Sequence, residues 1–168
     1  MEPKAFTLSN SNLIPWLTTP CEIREAFDPN DPESKPTLKR SYVGLWDTGA
    51  SASMITSRVA AELGLVPFGM EKSYHAQGVA FTNTYMVNVI LLNGIQVYNV
   101  KVSEGKLPQG IDMLIGMDII NLGDFVITHR NGGTIFSFQV PSTHQYDFVA
   151  SLNAGVGQPK KKTKKKKR

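Results

Sequence analysis

The segment that most constrains this chain lies at residues 45–51, where an apolar stretch runs into a tight turn with one carboxylate. Residues 42–46 are largely β-branched or aromatic and therefore predict a strand. Asp47 follows directly. Thr48 has a hydroxyl that can hold a tight loop, and Gly49 allows a backbone conformation that a side chain would resist. The sequence thus predicts a carboxylate fixed at the end of a strand.

A second apolar segment, at residues 111–120, reads as a short buried strand, a glycine and a helical turn. Together, Asp47-Thr48-Gly49-Ala50-Ser51 and, roughly 65 residues later, Leu114-Ile115-Gly116 resemble the retropepsin-like aspartic proteases. The second segment is especially similar to that of bacterial members and of the DNA-damage-inducible shuttle proteins. The resemblance spans roughly residues 19–140.

The resemblance implies an all-β fold, the retropepsin-like half of the pepsin acid-protease fold. Its closed, barrel-like sheet would carry a flap hairpin and one or two short helices. The residue pattern itself predicts about nine strands and two short helices. We expect an N-terminal extension at 1–18, a protease domain at 19–142 and a flexible C-terminal segment at 143–168.

Turn residues divide the chain into these elements. A proline-rich loop at 28–36 should join strands 22–27 and 38–46. Ser57 can cap a short helix that Gly64 ends, and a further helix is expected at 116–122. Asn-Gly pairs at 93–94 and 131–132 predict two hairpins.

Peptide hydrolysis by direct water attack needs a base for the water and an acid for the carbonyl oxygen and the leaving nitrogen. Two adjacent carboxylates provide both, because they share one proton. The chain contains a single Asp-Thr-Gly, and Asp112, Asp118 and Asp124 lack that context. The second carboxylate should therefore come from a second copy, in a two-fold homodimer with Asp47 of each subunit on the axis.

The resemblance also implies roles for the residues around Asp47. Thr48 would reach across the axis to the partner's loop, and Gly49 would leave room for substrate. Ala50 would contact the substrate, and it stands where pepsin-like enzymes have a hydroxyl. Ser51 and Met117 replace an Asp and an Arg that pair in many retroviral enzymes. Both charges are absent together, so no unpaired charge results.

Two further groups complete the implied site. The tip of a flap that closes over the peptide would be Gln77, Gly78 and Val79. The residues that would pack beneath the active turn and line neighbouring subsites are Leu114, Ile115 and Gly116. With Trp46, these apolar groups imply a preference for apolar side chains near the cleaved bond.

Simpler interpretations compete with each assignment. Asp47 could be a turn residue bonded to its own loop, and Gly78 an ordinary hairpin glycine. Gly116 could be a plain strand-to-helix glycine, and His75 an exposed hairpin residue. A Ser51–His75 nucleophile pair lacks the surrounding nucleophile elbow. At the level of function, the alternatives are a peptide-binding module with little turnover and a protein tethered to nucleic acid.

Net charge is unevenly distributed. The basic tail begins at Lys160 and ends at Arg168 with eight positive charges, which leaves ten basic and fourteen acidic residues in the body. Such a tail is either a solvated, solubilising end or a nonspecific contact for nucleic acid or an anionic surface. No segment reaches membrane-spanning length and no secretory signal begins the chain. The single Cys21 indicates a cytoplasmic protein, and no His or Cys spacing suggests a metal or cofactor.

Overall fold

The computed structural model describes residues 2–27, 40–75 and 78–156, and within them all side chains except those of 73–80 and 155–156. The strands are β1 Lys4–Asn10, β2 Thr18–Glu25, β3 Arg40–Trp46, β4 Met54–Ile55, β5 Gly69–His75, β6 Gly78–Ile90, β7 Gln96–Glu104, β8 Met113–Ile115, β9 Asp124–Thr128 and β10 Thr134–Val140. The helices are α1 Ser57–Leu63, α2 Met117–Ile120 and α3 Phe148–Val156. No described helix has the length and apolar character needed to cross a bilayer.

Six strands close into a barrel in the order β2-β3-β8-β4-β7-β6, and β6 pairs back onto β2. The closing register places Ile23 opposite Val89. Both side chains are fully buried, as is Val87 beside them. The predicted all-β fold with a closed sheet is therefore confirmed.

One pairing in the barrel is parallel and joins the two segments that the sequence singled out. Strand β3 lies beside β8, with Leu45 opposite Leu114 and Trp46 opposite Ile115. Because parallel neighbours end at the same edge of a sheet, the turn after Trp46 and the turn after Ile115 come together.

A three-stranded sheet, β1-β10-β9, packs against the barrel through aromatic side chains. The Trp46 ring lies 4.9 Å from Phe138 and 5.1 Å from Phe136, between ring centroids. Phe6 of β1 lies 5.5 Å from Phe136. Since aromatic rings bury large apolar areas, this cluster ties the residues before 18 to the barrel.

Both Asn-Gly turns are confirmed. Asn93 and Gly94 have φ of 55° and 68°, and Asn131 and Gly132 have φ of 58° and 78°. Asn and Gly adopt this left-handed region at low cost, so these pairs reverse the chain between β6 and β7 and between β9 and β10.

The structure corrects several helix predictions. Thr56, not Ser57, caps α1, because its Oγ1 accepts from Val59 N at 3.3 Å; Gly64 ends the helix at φ 63°, as predicted. Helix α2 is shorter than the predicted 116–122. Helix α3 lies within the segment expected to be flexible, so the described residues contain three α-helices, in addition to the short 3-10 turns Leu92–Gly94 and Arg130–Gly132. The loop at 28–36 and the basic tail lie outside the described residues.

Candidate active site

Asp47 is the first residue after β3, and the barrel fixes its backbone from below. Its N–H donates to the carbonyl of Ile115 at 3.0 Å, and its carbonyl accepts from Ala50 N at 3.3 Å. The side chain is half-buried at the edge of the barrel. The carboxylate is thus held by backbone on a rigid element, yet it reaches the surface.

One oxygen of this carboxylate is engaged and the other is free. Gly49 N donates to Asp47 Oδ1 at 2.8 Å, whereas Oδ2 has no hydrogen bond within the described residues. The first contact is the turn bond that the simpler interpretation of Asp47 required. Because it uses only Oδ1, the remaining oxygen is open to a reactant.

The turn favours glycine at position 49 for a different reason from the one expected. Its φ is not in the left-handed region. Instead, a Cβ on Gly49 would lie 3.1 Å from Asp47 Oδ1. The glycine therefore serves the close approach of the carboxylate to its own N–H. Thr48 beside it is exposed, and its hydroxyl has no partner in the described part of its chain.

Gly116 clamps the turn from the other side. A Cβ there would lie 2.7 Å from Ala52 C and 3.0 Å from Ala50 O, both backbone atoms. The next residue, Met117, donates from its N–H to Ala50 O at 2.8 Å. No side chain fits between the two turns, so Gly116 is more than a plain strand-to-helix glycine.

A polar link that the sequence analysis missed joins the same two segments. The fully buried Ser53 donates from Oγ to Asp118 Oδ1 at 2.7 Å and from N to Oδ2 at 3.0 Å. Its Oγ also accepts from Gly116 N at 3.0 Å. The one signal in the sequence was the position of Ser53, which lies six residues after Asp47 and directly before the short strand β4.

The downstream strand supports the turn more than it faces a substrate. Ile115 is fully buried, and its Cδ1 fills the space beside Gly44, where an added Cβ would lie 2.7 Å from it. In this chain its side chain therefore lies in the core and not at the surface. Leu114 is half-buried. Trp46, which was expected near the substrate, is 6% exposed, and its Nε1 donates to Thr19 Oγ1 at 3.0 Å.

The expected flap is present as the hairpin of β5 and β6. His75 pairs with Gly78 and Tyr74 pairs with Val79. Gln77 lies outside the described residues, and so does the side chain of Val79; for Gly78 only the backbone pairing is described. The backbone pairing agrees with the predicted hairpin tip.

A charged cluster supports the barrel beneath the site. Asp112 is 8% exposed; its Oδ2 accepts from Val43 N at 3.0 Å, and its Oδ1 bonds to the guanidinium of Arg58. Arg58 also bonds Glu62, and these two carboxylates raise the pKa of its guanidinium, with the Glu62 hydrogen bond as the larger cause. Asp112 therefore has a structural role.

Comparison with known proteins assigns the class. Residues 39–119, a segment that contains both turns, match the family model of the aspartyl proteases. The predicted resemblance to the retropepsin-like aspartic proteases is thereby confirmed. No curated protein sequence matches the chain.

Several solved structures are similar in fold. One is the crystal structure of a retropepsin-like aspartic protease from Rickettsia conorii, at 17% identity over 83% of this chain and 97% of that chain, with a TM-score of 0.49. Another is the retroviral protease-like domain of Ddi1 from Leishmania major, at 20% identity over 74% and 95% of the two chains, with a TM-score of 0.42. A third is the simian foamy virus (mac) protease, at 13% identity over 62% and 91%, with a TM-score of 0.41.

Proposed function

We propose that this chain is an aspartic endopeptidase that acts as a homodimer, with Asp47 of each subunit forming the catalytic pair. The observation that carries the proposal is the state of Asp47 in the family-matched segment. Its backbone is fixed by Ile115 O, its Oδ1 by Gly49 N, and its Oδ2 is unengaged within the described residues.

The remaining aspartates near the barrel support a second subunit as the source of the second carboxylate. Asp112 is bonded to Val43 N and Arg58, and Asp118 to Ser53. Asp124 accepts from Thr143 N and His144 N, both at 3.0 Å. Each of these carboxylates already holds backbone in place, so none is free to serve as the partner of Asp47.

The proposed mechanism needs only the two carboxylates and a water. One ionised Asp47 takes a proton from the water as it attacks the peptide carbonyl carbon. The protonated Asp47 of the partner subunit gives its proton to the carbonyl oxygen. As the tetrahedral intermediate collapses, the first Asp47 passes the proton it took from water to the leaving nitrogen, and the partner's Asp47 takes back a proton from a hydroxyl of the intermediate. Like charges at close range cannot both ionise, which keeps one proton on the pair.

The surrounding residues would act on binding and geometry. Thr48, whose hydroxyl has no partner among the described residues, would bond the partner's turn across the axis. Ala50 and Leu114 would contact the peptide, while Ile115 and Gly116 hold the turn from beneath. A flap tip at Gln77, Gly78 and Val79 would close over the peptide and exclude water. The buried lone Cys21 fits a reducing, cytoplasmic setting.

The decisive experiment is turnover of a peptide library by wild type and Asp47→Asn. The amide is nearly isosteric but cannot act as the base, so cleavage should be lost while the thermal melt stays the same. Glu25→Gln, an exposed acid on β2, is the matched control. Wild-type turnover in Asp47→Asn would rule out the mechanism. Library binding without turnover in the wild type would instead identify a peptide-binding module.

A mixing experiment tests the shared site. Equal amounts of wild type and Asp47→Asn, allowed to exchange subunits, form heterodimers with one carboxylate. Activity per wild-type subunit should then fall to about half, because about half of the wild-type subunits have a mutant partner. Activity that is independent of added mutant, from a species that sediments as a monomer, would contradict the dimer model.

A further inference from the structure

A tryptophan that the proposed mechanism does not use lies close to the turn that contains Asp47. The chain has two tryptophans, and they differ sharply in exposure: Trp46 is 6% exposed, whereas Trp16 is 53% exposed. Tryptophan side chains are highly buried on average. The exposure of Trp16 therefore makes its ring a candidate contact residue.

Trp16 is the neighbour of Asp47 along the ladder of β2 and β3. Beyond the paired residues of this antiparallel ladder, Trp46 N donates to the carbonyl of Leu17 at 2.9 Å. Trp16 and Asp47 are each one residue beyond that bond on their own chains. A ladder extended by this one pair sets their Cα atoms about 4.5–5.5 Å apart.

Trp16 and Asp47 also belong to the same face of the ladder. Side chains alternate between two faces along a strand, and residues directly opposite each other share a face. Trp46 and Leu17 pack in the core, so their neighbours Asp47 and Trp16 fall on the other face, in agreement with their greater exposure. Leu45, two residues before Asp47 and half-buried, shares this face. The indole and the carboxylate therefore leave the barrel on one side.

The segment that carries Trp16 is held on both sides. Ile14 N donates to the hydroxyl of Thr134 at 3.2 Å, and Thr134 is 3% exposed. The carbonyl that follows Trp16, that of Leu17, is bonded to β3, and Pro15 restricts the backbone between these two anchors. Because this backbone is already ordered, a contact through Trp16 costs little additional conformational entropy.

We propose that Trp16 is a specificity-determining residue, whose indole binds a large apolar side chain of the peptide close to the cleaved bond. The inference rests on the proposed peptidase function. The scissile carbonyl must come within about 3 Å of the Asp47 carboxylates, and an extended peptide advances about 3.3 Å per residue. A side chain one or two positions from the cleaved bond therefore passes the ladder position of Trp16. Because each subunit of the homodimer supplies one Trp16, the preference should occur on both sides of the cleaved bond.

The chemistry of the surrounding face defines the side chain that fits. Leu114 lies beside Leu45 on the neighbouring strand, and both are half-buried. Together with the indole they offer an apolar surface, which favours aromatic and large aliphatic side chains because contact removes both partners from water. The apolar preference first assigned to Trp46 thus passes to Trp16, since strand alternation turns Trp46 into the core.

The test is cleavage of a peptide library with randomised positions by wild type, Trp16→Ala and Trp16→Phe. Wild type should select aromatic or large aliphatic side chains at one position on each side of the cleaved bond. Trp16→Ala should lower kcat/KM at least about tenfold for a selected peptide, and change it little for the same peptide with alanine at those positions. Trp16→Phe keeps a ring and should retain most of the selection. Phe148→Ala, at a ring 73% exposed on α3, is the matched control and should select as wild type.

A binding readout separates this inference from the peptidase itself. Library peptides rich in Phe and Leu should bind Asp47→Asn without cleavage and shift its tryptophan emission to the blue. The shift should be absent from the double variant Asp47→Asn, Trp16→Phe, in which only the buried Trp46 remains. A shift of this kind without any cleavage by wild type would overturn the endopeptidase and leave the inference standing.

Two results would overturn the inference alone. One is cleavage by Trp16→Ala with the selection of wild type. The other is weaker dimerisation of Trp16→Ala in sedimentation with unchanged selection, which would place the ring against the partner subunit instead of the peptide.

Discussion

The hydroxyl of Ser53 donates to Oδ1 of Asp118 at 2.7 Å, across a sequence separation of 65 residues. Ser53 lies just past the turn that contains Asp47, and Asp118 lies in the first turn of α2. The contact joins the two segments on which the proposed site depends. This contact contains a single charge, that of Asp118. Ser51 and Met117 occupy the two positions where many retroviral enzymes have a pair of opposite charges.

Ser53→Ala should weaken both the fold and the proposed activity. Asp118 loses its Oγ donor and Gly116 N loses its acceptor in a buried setting, at a cost of ~1–3 kcal/mol in unfolding free energy. Chemical denaturation and peptide turnover measure the two effects. Ser51→Ala, at an exposed hydroxyl, should stay within about 0.5 kcal/mol of wild type. Equal stability of the two variants would show that the Ser53 link is weak.

Gly116→Ala should displace the catalytic turn. The new methyl meets the backbone of Ala52 at 2.7 Å and of Ala50 at 3.0 Å, and backbone cannot rotate away. We expect ~1–3 kcal/mol of destabilisation and a loss of turnover larger than stability alone explains, because the turn that holds Asp47 must shift. Gly69→Ala, where the nearest atom is the Thr84 hydroxyl at 3.4 Å, is the control. Full activity of the Gly116→Ala variant would contradict the role of Gly116 in holding this turn.

Cys21 should report global unfolding. It is 3% exposed, and burial, with a smaller effect from the charge of Asp112, raises the pKa of its thiol to about 12. Since the thiolate is the reactive form, alkylation of the native protein near neutral pH should be very slow, and it should become rapid in denaturant. Rapid labelling of the native protein would mean that the β2–β3 region opens locally.

Asp124 should make stability depend on acidity. Hydrogen bonds from the Ser142 hydroxyl, from Thr143 N and from His144 hold the pKa of its carboxyl well below the ordinary value of 3.8. A folded-state pKa below the unfolded one stabilises the fold above the unfolded pKa, and this contribution is lost as pH falls below about 4. Thermal melts should therefore separate wild type from Asp124→Asn at pH 6, and the gap should narrow progressively as the pH falls below about 4. A gap that is constant across this range would exclude titration of Asp124 as its cause.

Local features of the fold were predictable because one or two residues determine them. Asn-Gly pairs at 93–94 and 131–132 reverse the chain through their own φ preferences. Gly64 ends α1 for the same reason. The strand ending in Trp46, followed by Asp47, was equally readable, because its residues favour an extended chain and the turn follows directly.

Side-chain direction was less predictable. Trp46 was expected near the substrate, but a sequence does not show which face of a strand meets the second sheet. Here Phe136 and Phe138 of β10 lie against the ring, so it packs inward. Helix α3 escaped prediction because its nine residues include Gly155, and because all of its described side chains, 148–154, are exposed.

The sequence by itself determined the motif and its class: one Asp-Thr-Gly after a strand, and an apolar strand with Gly116 further on. Only the tertiary structure decided how they work together. The parallel pairing of β3 with β8 sets Asp47 N on Ile115 O and brings Gly116 against the backbone of Ala50 and Ala52. Such contacts depend on the closure of the whole barrel, because backbone groups 60 or more residues apart meet only once every intervening strand has found its neighbour.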